Sequence, residues 1–526
     1  MPRVLLIGWD GADWRILDPM LESGVLPNLQ ALIDRGAKGV LRSTIPTHSW
    51  SAWPSFLTGV EPADHGVYDI LENVPGTHRQ LPVTYRSIKE RTILGDLTAA
   101  SKRTLMINVP LTFPPPQIEG ELVAGGVLPK GRAFTHPSDL ATDLEKAGVP
   151  WPINGMSWTT YRNRPDAFLD EVNDVTRARI RAMEWLIDNR DWELASFVFF
   201  STDRVQHCLS NYVAPDHPDY SERSKTSVGQ RTRDVYRLLD ETLGSLVSRT
   251  GDDDLVLFIS DHGFQSCTRC VHMDQLLRKL GFLHFSAKQA VFGPMQWGAM
   301  RQVARKIYDL LGLHGKVSLP QPVVWSKTRV YTSVRSTGEG VSVNLQGREV
   351  DGVVPPEDYE RVRDEVAEAI AGFEDPASGR SPVKKVWRRE EVFKGKFLEQ
   401  APDLLFEPAE LYSLTHAKSA VGNADWVSGD HRIEGVIVAA GPNVAAGAFA
   451  DSPPNLVDIA PTVLAALDAP ASVQHSGRVL TSVLGAEAAV RAGEASTAAT
   501  EDDGQPVGDV EAEEMEEHLR GLGYLE

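Results

Sequence analysis

Cysteine is scarce: the 526 residues contain three, Cys208, Cys267 and Cys270. That is too few for a disulfide framework and suits a reducing compartment. Cys267-x-x-Cys270 with nearby His272 has half the spacing of a zinc ribbon, but no second pair completes it, so the two read as reduced thiols. Positive charge is short as well. Lys plus Arg number 53 against 72 Asp plus Glu, a net −19, which excludes nucleic-acid or anionic-membrane binding as the main task of the surface. No stretch approaches the ~20 apolar residues of a membrane span. The opening run Val4–Trp9 is too short for a signal sequence and is closed by Asp10. The expectation is a cytoplasmic protein without a transmembrane segment. Several catalytic signatures are missing too: no Walker A loop (Gly315-Lys316 is followed by Val317), no His-Glu-x-x-His, no Gly-x-Ser-x-Gly, and no Cys-x-Pro-x-Arg.

What is present is ordinary globular material, 42% apolar and 24% charged, enough to bury a sizeable core. Four short apolar runs each lie beside residues that can bind metal or carry chemistry. Val4–Trp9 ends at Asp10, Leu194–Phe200 ends before Asp203, and Leu255–Ile259 ends at Ser260-Asp261-His262. Val436–Ala440 follows His431. Continuous apolar runs fit strands of a parallel sheet covered on both faces, and open α/β sheets place their sites at the carboxyl ends of such strands. Helical patterns intervene, from Pro27 to Gly36 and through Val235, Leu238, Leu239, Leu243, Leu246 and Val247. The fold class that follows is α/β, a doubly wound, mostly parallel sheet flanked by helices.

One domain over residues 1–485 is expected, with capping insertions at about 70–165 and 272–425. The second insertion carries an amphipathic pattern at Met300, Val303, Ile307, Leu310 and Leu311, read as a cap helix. Residues 486–526 read as an acidic, largely disordered tail; from Glu487 onward it holds twelve acidic and two basic residues. A short helix ending at Gly523 is expected near its end.

The chemistry-bearing residues are Asp and His clusters. Asp203 and His207, four apart, share one face of a helical turn, a pattern that equally serves a surface hydrogen bond. Adjacent Asp261 and His262 at a strand end, before Gly263, form the sharper signal. Asp10 and His431 complete the set, although alone Asp10 could cap a helix and His431 could lie in an ordinary loop. Three aspartates and three histidines can hold two divalent cations, zinc foremost, with manganese or iron as alternatives. Two such ions roughly 4 Å apart can clamp both oxygens of a phosphoryl displacement. The hydroxyl-rich segment Pro46–Gly59 offers nucleophiles, since a metal-bound serine oxygen has a lowered pKa.

In these stretches the chain resembles the alkaline phosphatase superfamily, and within it the type I phosphodiesterase/nucleotide pyrophosphatase branch. The resemblance rests on Asp10-Gly11, Pro27-Asn28-Leu29, Pro46–Gly59, Pro62–Val67, Asp203–His207, Ser260–Gly263, Gly429–Arg432 and Asp458–Leu464, which occur in the family's order. It implies an alkaline phosphatase-like fold with Ser49 as nucleophile. Asp203, His207 and His431 would hold one metal, and Asp10, Asp261 and His262, with Ser49, the other. It also implies hydrolysis of a phosphodiester or pyrophosphate bond in a small phosphorylated substrate, through a phosphoseryl or nucleotidyl-seryl intermediate.

Two departures bear on the substrate. Ala52 stands where the nucleotide pyrophosphatases place a phosphate-binding asparagine, and serine at position 49 is also the pattern of monoesterases and phosphomutases. A phosphomonoesterase or phosphosugar mutase on the same site is therefore the alternative, with a non-catalytic binding protein as a third reading. Trp50 and Trp53 flank the nucleophile, where they could stack on a base or sugar or simply pack.

Overall fold

The computed structural model describes residues 3–153, 155–161, 163–286, 323–415, 420–424, 427–449, 453–471, 474–485 and 508–524. The amphipathic pattern at 300–311 and most of the acidic linker lie outside the described residues.

A nine-stranded sheet organises the chain. Its spatial order is Gly447–Ala448, Ala37–Arg42, Glu434–Ala440, Leu255–Ile259, Val4–Trp9, Leu194–Phe199, Thr104–Pro110, Gly120–Gly125 and Thr135–His136. The five strands from Leu255–Ile259 to Gly120–Gly125 run parallel. Val4–Trp9 is the middle strand of the nine, and alternation along it explains why no polar residue interrupts it. Leu5, Ile7 and Trp9 enter one apolar cluster, shared with helices Trp14–Glu22, Pro165–Asn189, Ser201–Val213 and Ser227–Val247. Val4 and Leu6 enter another, shared with helices Ser49–Thr58, Ile93–Ala99 and Ile459–Ala466. Burial on both faces demands an unbroken apolar strand, and each such side chain contributes about 1.5–3 kcal/mol. The sheet is therefore doubly wound, as the sequence predicts.

Two sequence-based expectations change. The strand over Val436–Ala440 begins at Glu434 and pairs antiparallel with both neighbours. An apolar run reports burial on two faces, not strand direction, so the pattern could not distinguish the two. The stretch 70–165 is not only a cap, because three of its strands extend the central sheet. Asn108 and Pro110 interrupt the apolar run of Thr104–Pro110, Gly120–Gly125 opens on Gly120 and Glu121, and Thr135–His136 has only two residues, so none shows a continuous apolar pattern.

The second insertion has its own sheet, ordered Val330–Val334, Gly340–Val343, Leu404–Pro408 and Val383–Arg388, covered by helix Tyr359–Ala371. Between it and the main sheet, Gly263–Val271 pairs with Leu411–Ser413, Val421–Asn423 and Gly429–Arg432. At the end of the chain, helix Asp509–Gly521 packs back on the body. Met515, Leu519 and Tyr524 join Trp50, Val67, Ile70 and Leu111 in one apolar cluster. The last residues of the tail are thus part of the folded structure.

Candidate active site

Each candidate ligand is delivered by the end of a regular element. Asp10 follows the central strand, and its neighbour Gly11 adopts φ +68°, where a Cβ would stand 2.7 Å from the Phe264 ring. Only glycine suits both conditions. Asp203 and His207 lie one turn apart on helix Ser201–Val213. Asp261 and His262 follow Leu255–Ile259, and the strand register sets Phe264 opposite His431, bringing the His262 and His431 rings to 4.1 Å between centroids. His431 therefore belongs to a strand rather than an irregular loop. Ser49 is the first residue of helix Ser49–Thr58, whose ten residues are all buried.

These residues converge in two adjoining groups. In the first, His207 Nε2 lies 3.3 Å and His431 Nε2 3.5 Å from Asp203 Oδ1. The two imidazole nitrogens are 3.0 Å apart. In the second, His262 Nε2 lies 3.4 Å from Asp261 Oδ2 and 3.8 Å from Asp10 Oδ1. Ser49 Oγ joins it, 3.1 Å from Asp10 Oδ1 and 3.2 Å from His262 Nε2. All six ligand candidates and the hydroxyl thus meet in one place, although Asp10 and His431 are far apart in sequence.

The surroundings orient these groups for metal. His207, His262 and His431 each set Nδ1 against a backbone carbonyl, of Gly429 at 3.3 Å, Gly263 at 3.1 Å and Thr47 at 3.0 Å. Donating Nδ1–H there leaves each Nε2 lone pair facing the site, the tautomer a metal ligand requires. Burial pushes His262 and His431 down to about 4, so both rings are neutral at ordinary pH. Burial, then the Asp261 and Asp203 charges, pushes Asp10 well up. Three carboxylates crowded out of water are costly unless a cation joins them. Asp203 Oδ1 and Asp261 Oδ2 are buried without a hydrogen-bond donor, which leaves them open to ligate, while Asp203 Oδ2 faces the Arg204 guanidinium. The oxygen and nitrogen donor set fits zinc, manganese or iron.

Other residues complete the site. Asp430, beside His431, comes with His207 and His431 within ligating range of a common point. Its adjacency to a candidate histidine was the signal available in the sequence. Trp53 is fully buried, and its indole N–H donates to Asp10 Oδ2 at 3.0 Å, so it orients a candidate ligand and its ring packs in the core. Trp50 does line a cavity together with Ser49. Glu339 reaches in from the second insertion and accepts the Thr47 N–H at 2.9 Å, anchoring the segment before the nucleophile. Burial pushes its carboxyl well up. Arg204 pairs with Asp203 at 3.2 Å and donates to the Tyr524 hydroxyl at 2.6 Å. No local pattern announces Glu339 or Tyr524, because neither lies near another site residue in sequence. Cys267 and Cys270 are buried free thiols, outside every metal-ligand grouping among the described residues.

A doubly wound sheet with a buried serine hydroxyl beside one of two adjoining Asp/His groups is the arrangement of an alkaline phosphatase-like fold. The chain matches the type I phosphodiesterase / nucleotide pyrophosphatase family over residues 4–434, and it belongs to that family. Solved structures of similar fold include murine ectonucleotide pyrophosphatase / phosphodiesterase 5, an inactive variant in complex with AMP. It is 13% identical with a TM-score of 0.52, covering 91% of this chain and 97% of that one. Phosphonoacetate hydrolase from Sinorhizobium meliloti 1021, in complex with phosphonoformate, is 16% identical with a TM-score of 0.54, covering 89% and 95%. No curated protein sequence matches. Among the described residues no helix is long and apolar enough to cross a membrane.

Proposed function

We propose that this chain hydrolyses a phosphodiester or pyrophosphate bond of a small phosphorylated substrate, with Ser49 as nucleophile and two divalent cations, zinc foremost, as cofactors. The observation that carries this reading is the position of Ser49 Oγ, within 3.2 Å of both Asp10 Oδ1 and His262 Nε2. Asp203, His207 and His431 would hold one ion, and Asp10, Asp261, His262 and Ser49 the other. When bound, the two ions supply positive charge to the attacking and leaving oxygens.

The rest of the chemistry belongs to the protein. Ser49 Oγ donates its hydrogen toward Asp10 Oδ1, the side on which the proton leaves as Oγ attacks phosphorus. An Oγ–P bond forms, the bond to the leaving oxygen breaks, and water then cleaves the phosphoseryl or nucleotidyl-seryl ester, giving net retention at phosphorus. Because Ser49 opens a helix, the first backbone N–H groups, which lack intrahelical partners, suit a phosphate oxygen. That matters because Ala52 is fully buried and offers no side-chain donor. The missing donor is also the observation favouring the second reading, a phosphomonoesterase or phosphosugar mutase. The AMP and phosphonoformate carried by the two structural relatives are consistent with a small phosphorylated or phosphonate ligand here. Three buried free cysteines support a cytoplasmic setting.

The test is turnover of bis(p-nitrophenyl) phosphate against p-nitrophenyl phosphate by the metal-loaded protein. A preference for the diester is expected; a large preference for the monoester favours the second reading. Ser49→Ala is expected to lose at least about a thousandfold in kcat. Unchanged turnover removes Ser49 from the mechanism.

A further inference from the structure

The cavity beside Ser49 and Trp50 is also lined by Arg179, Arg204, His518 and Tyr524, and no carboxylate is among its lining residues. Three elements supply these groups: helix Pro165–Asn189 supplies Arg179, Ser201–Val213 supplies Arg204, and the C-terminal helix Asp509–Gly521 supplies His518. Two polar atoms here, Arg179 Nε and His518 Nδ1, are buried with no hydrogen-bond partner, and so is Trp50 Nε1. The Arg179 guanidinium has one long contact, Nη2 to the Pro152 carbonyl at 3.4 Å, and lies over the Trp151 ring. Among the described residues no carboxylate pairs with it. The buried Arg389, by contrast, is matched with Asp403 and Glu399. Arg179 is half-buried with its Nε withdrawn from water, and an unmatched buried donor is costly unless an anion takes it.

The position of the C-terminal segment is specific. Ser157 and Thr159 hydroxyls both donate to the Gly521 carbonyl, at 2.7 and 2.8 Å, and the Lys130 N–H donates to Glu514 at 3.0 Å. Tyr524 then meets Arg204 Nη2 at 2.6 Å, with its ring edge-on to Trp50 and to His207. Burial, then the Arg204 charge, holds Arg179 down to about 10. Burial, then Arg204, Arg179 and Lys130, holds His518 down to about 4. Both shifts have the sign that burial and neighbouring cations impose.

We propose that Arg179, Arg204 and His518 form a subsite for a second anionic group of the substrate, completed by the C-terminal helix and placed beside the phosphorus that Ser49 attacks. The substrate class is then a diester or pyrophosphate carrying a further phosphate-like charge, not a simple diester. This assignment rests on the hydrolase reading above for what happens at Ser49, while the anion pocket itself can be tested without turnover.

Two measurements on the full-length protein decide it. Calorimetric titration with sulfate, a tetrahedral dianion, is expected to show binding that weakens at least tenfold in Arg179→Met and is largely kept in Arg179→Lys. In kinetics, the ratio of kcat/KM for ADP to that for bis(p-nitrophenyl) phosphate is expected to fall at least tenfold in Arg179→Met. If Arg179→Met does not fold, His518→Phe carries the same comparison. Unaltered sulfate binding, or an unaltered ratio, overturns the subsite. Arg179-dependent sulfate binding in a protein that turns over neither ester upholds the subsite and overturns the hydrolase reading. Turnover of both esters without dependence on Arg179 does the reverse.

Discussion

His207 and His431, 224 residues apart, bring their Nε2 atoms to 3.0 Å. Each ring has its Nδ1 against a backbone carbonyl, so in the neutral tautomer two lone pairs confront each other beside Asp203. A cation at that point turns a repulsive contact into two bonds. Exhaustive chelation is therefore expected to abolish turnover, and readdition of zinc or manganese to restore it. His207→Ala is expected to lower bound metal from two ions per chain to one and turnover at least about a hundredfold. Elemental analysis of dialysed protein alongside an ester assay reads both; chelator-insensitive activity contradicts the two-ion site.

Trp53→Phe keeps an aromatic ring beside Gly8 but removes the N–H that donates to Asp10 Oδ2. Asp10 would keep its place with one buried oxygen left without a donor, at about 1–3 kcal/mol. Metal affinity is expected to drop about 10–100-fold, the usual effect of removing a residue that orients a ligand. Metal titration followed by competition with a chromophoric chelator measures it. An affinity equal to that of the unmodified protein shows that Asp10 needs no such support.

Gly11 and Gly24 allow a paired experiment. Their φ angles are +68° and +70°, so an alanine suffers the same backbone strain at either place. At Gly24 the new Cβ meets nothing within 4 Å, whereas at Gly11 it meets Phe264 at 2.7 Å. Phe264 packs against His431, so its displacement reaches the candidate metal site. Gly24→Ala is expected to cost about 1 kcal/mol, with activity kept. Gly11→Ala should cost about 1–3 kcal/mol more, with loss of turnover. Urea unfolding of the two variants gives the difference.

His65 supplies a pH dependence of stability. It accepts the Val67 N–H at Nδ1, contacts Ser55 Oγ through Nε2 at 2.9 Å, and is pushed down to about 3 by burial. An unfolded histidine titrates near 6.5. Between those values the unfolded chain binds a proton that the folded chain does not, so stability is full above about pH 6.5 and falls on acidification. The slope is about 1.4 kcal/mol per pH unit for this group. His262, His431 and His518, each held down to about 4 by burial, act in the same direction. Urea midpoints of chelated protein between pH 7 and 5 should fall with pH, and His65→Gln should make the fall shallower by roughly that slope. Parallel pH profiles would show that folded His65 takes up its proton over the same range as the unfolded residue, contradicting the depressed value.

Much of the fold is legible in the sequence. The run Val4–Trp9 announces a strand covered on both faces because every one of its residues must meet apolar partners. Asp10, Asp261 and His262 stand at strand ends, where side chains leave the sheet together. Strand direction at Glu434–Ala440 and the three sheet strands hidden in residues 70–165 were not legible, because hydrophobicity records burial and not pairing.

The sequence by itself determined which elements form and which side chains stand at their ends, since periodicity, glycine placement and charge act over a few residues. Tertiary structure alone decided that Trp53 serves Asp10 while Trp50 faces the cavity, that Glu339 anchors Thr47, and that Tyr524 returns from the acidic tail to Arg204. Each of these is a contact across tens to hundreds of residues. Such contacts depend on how whole elements pack, and no local pattern encodes that.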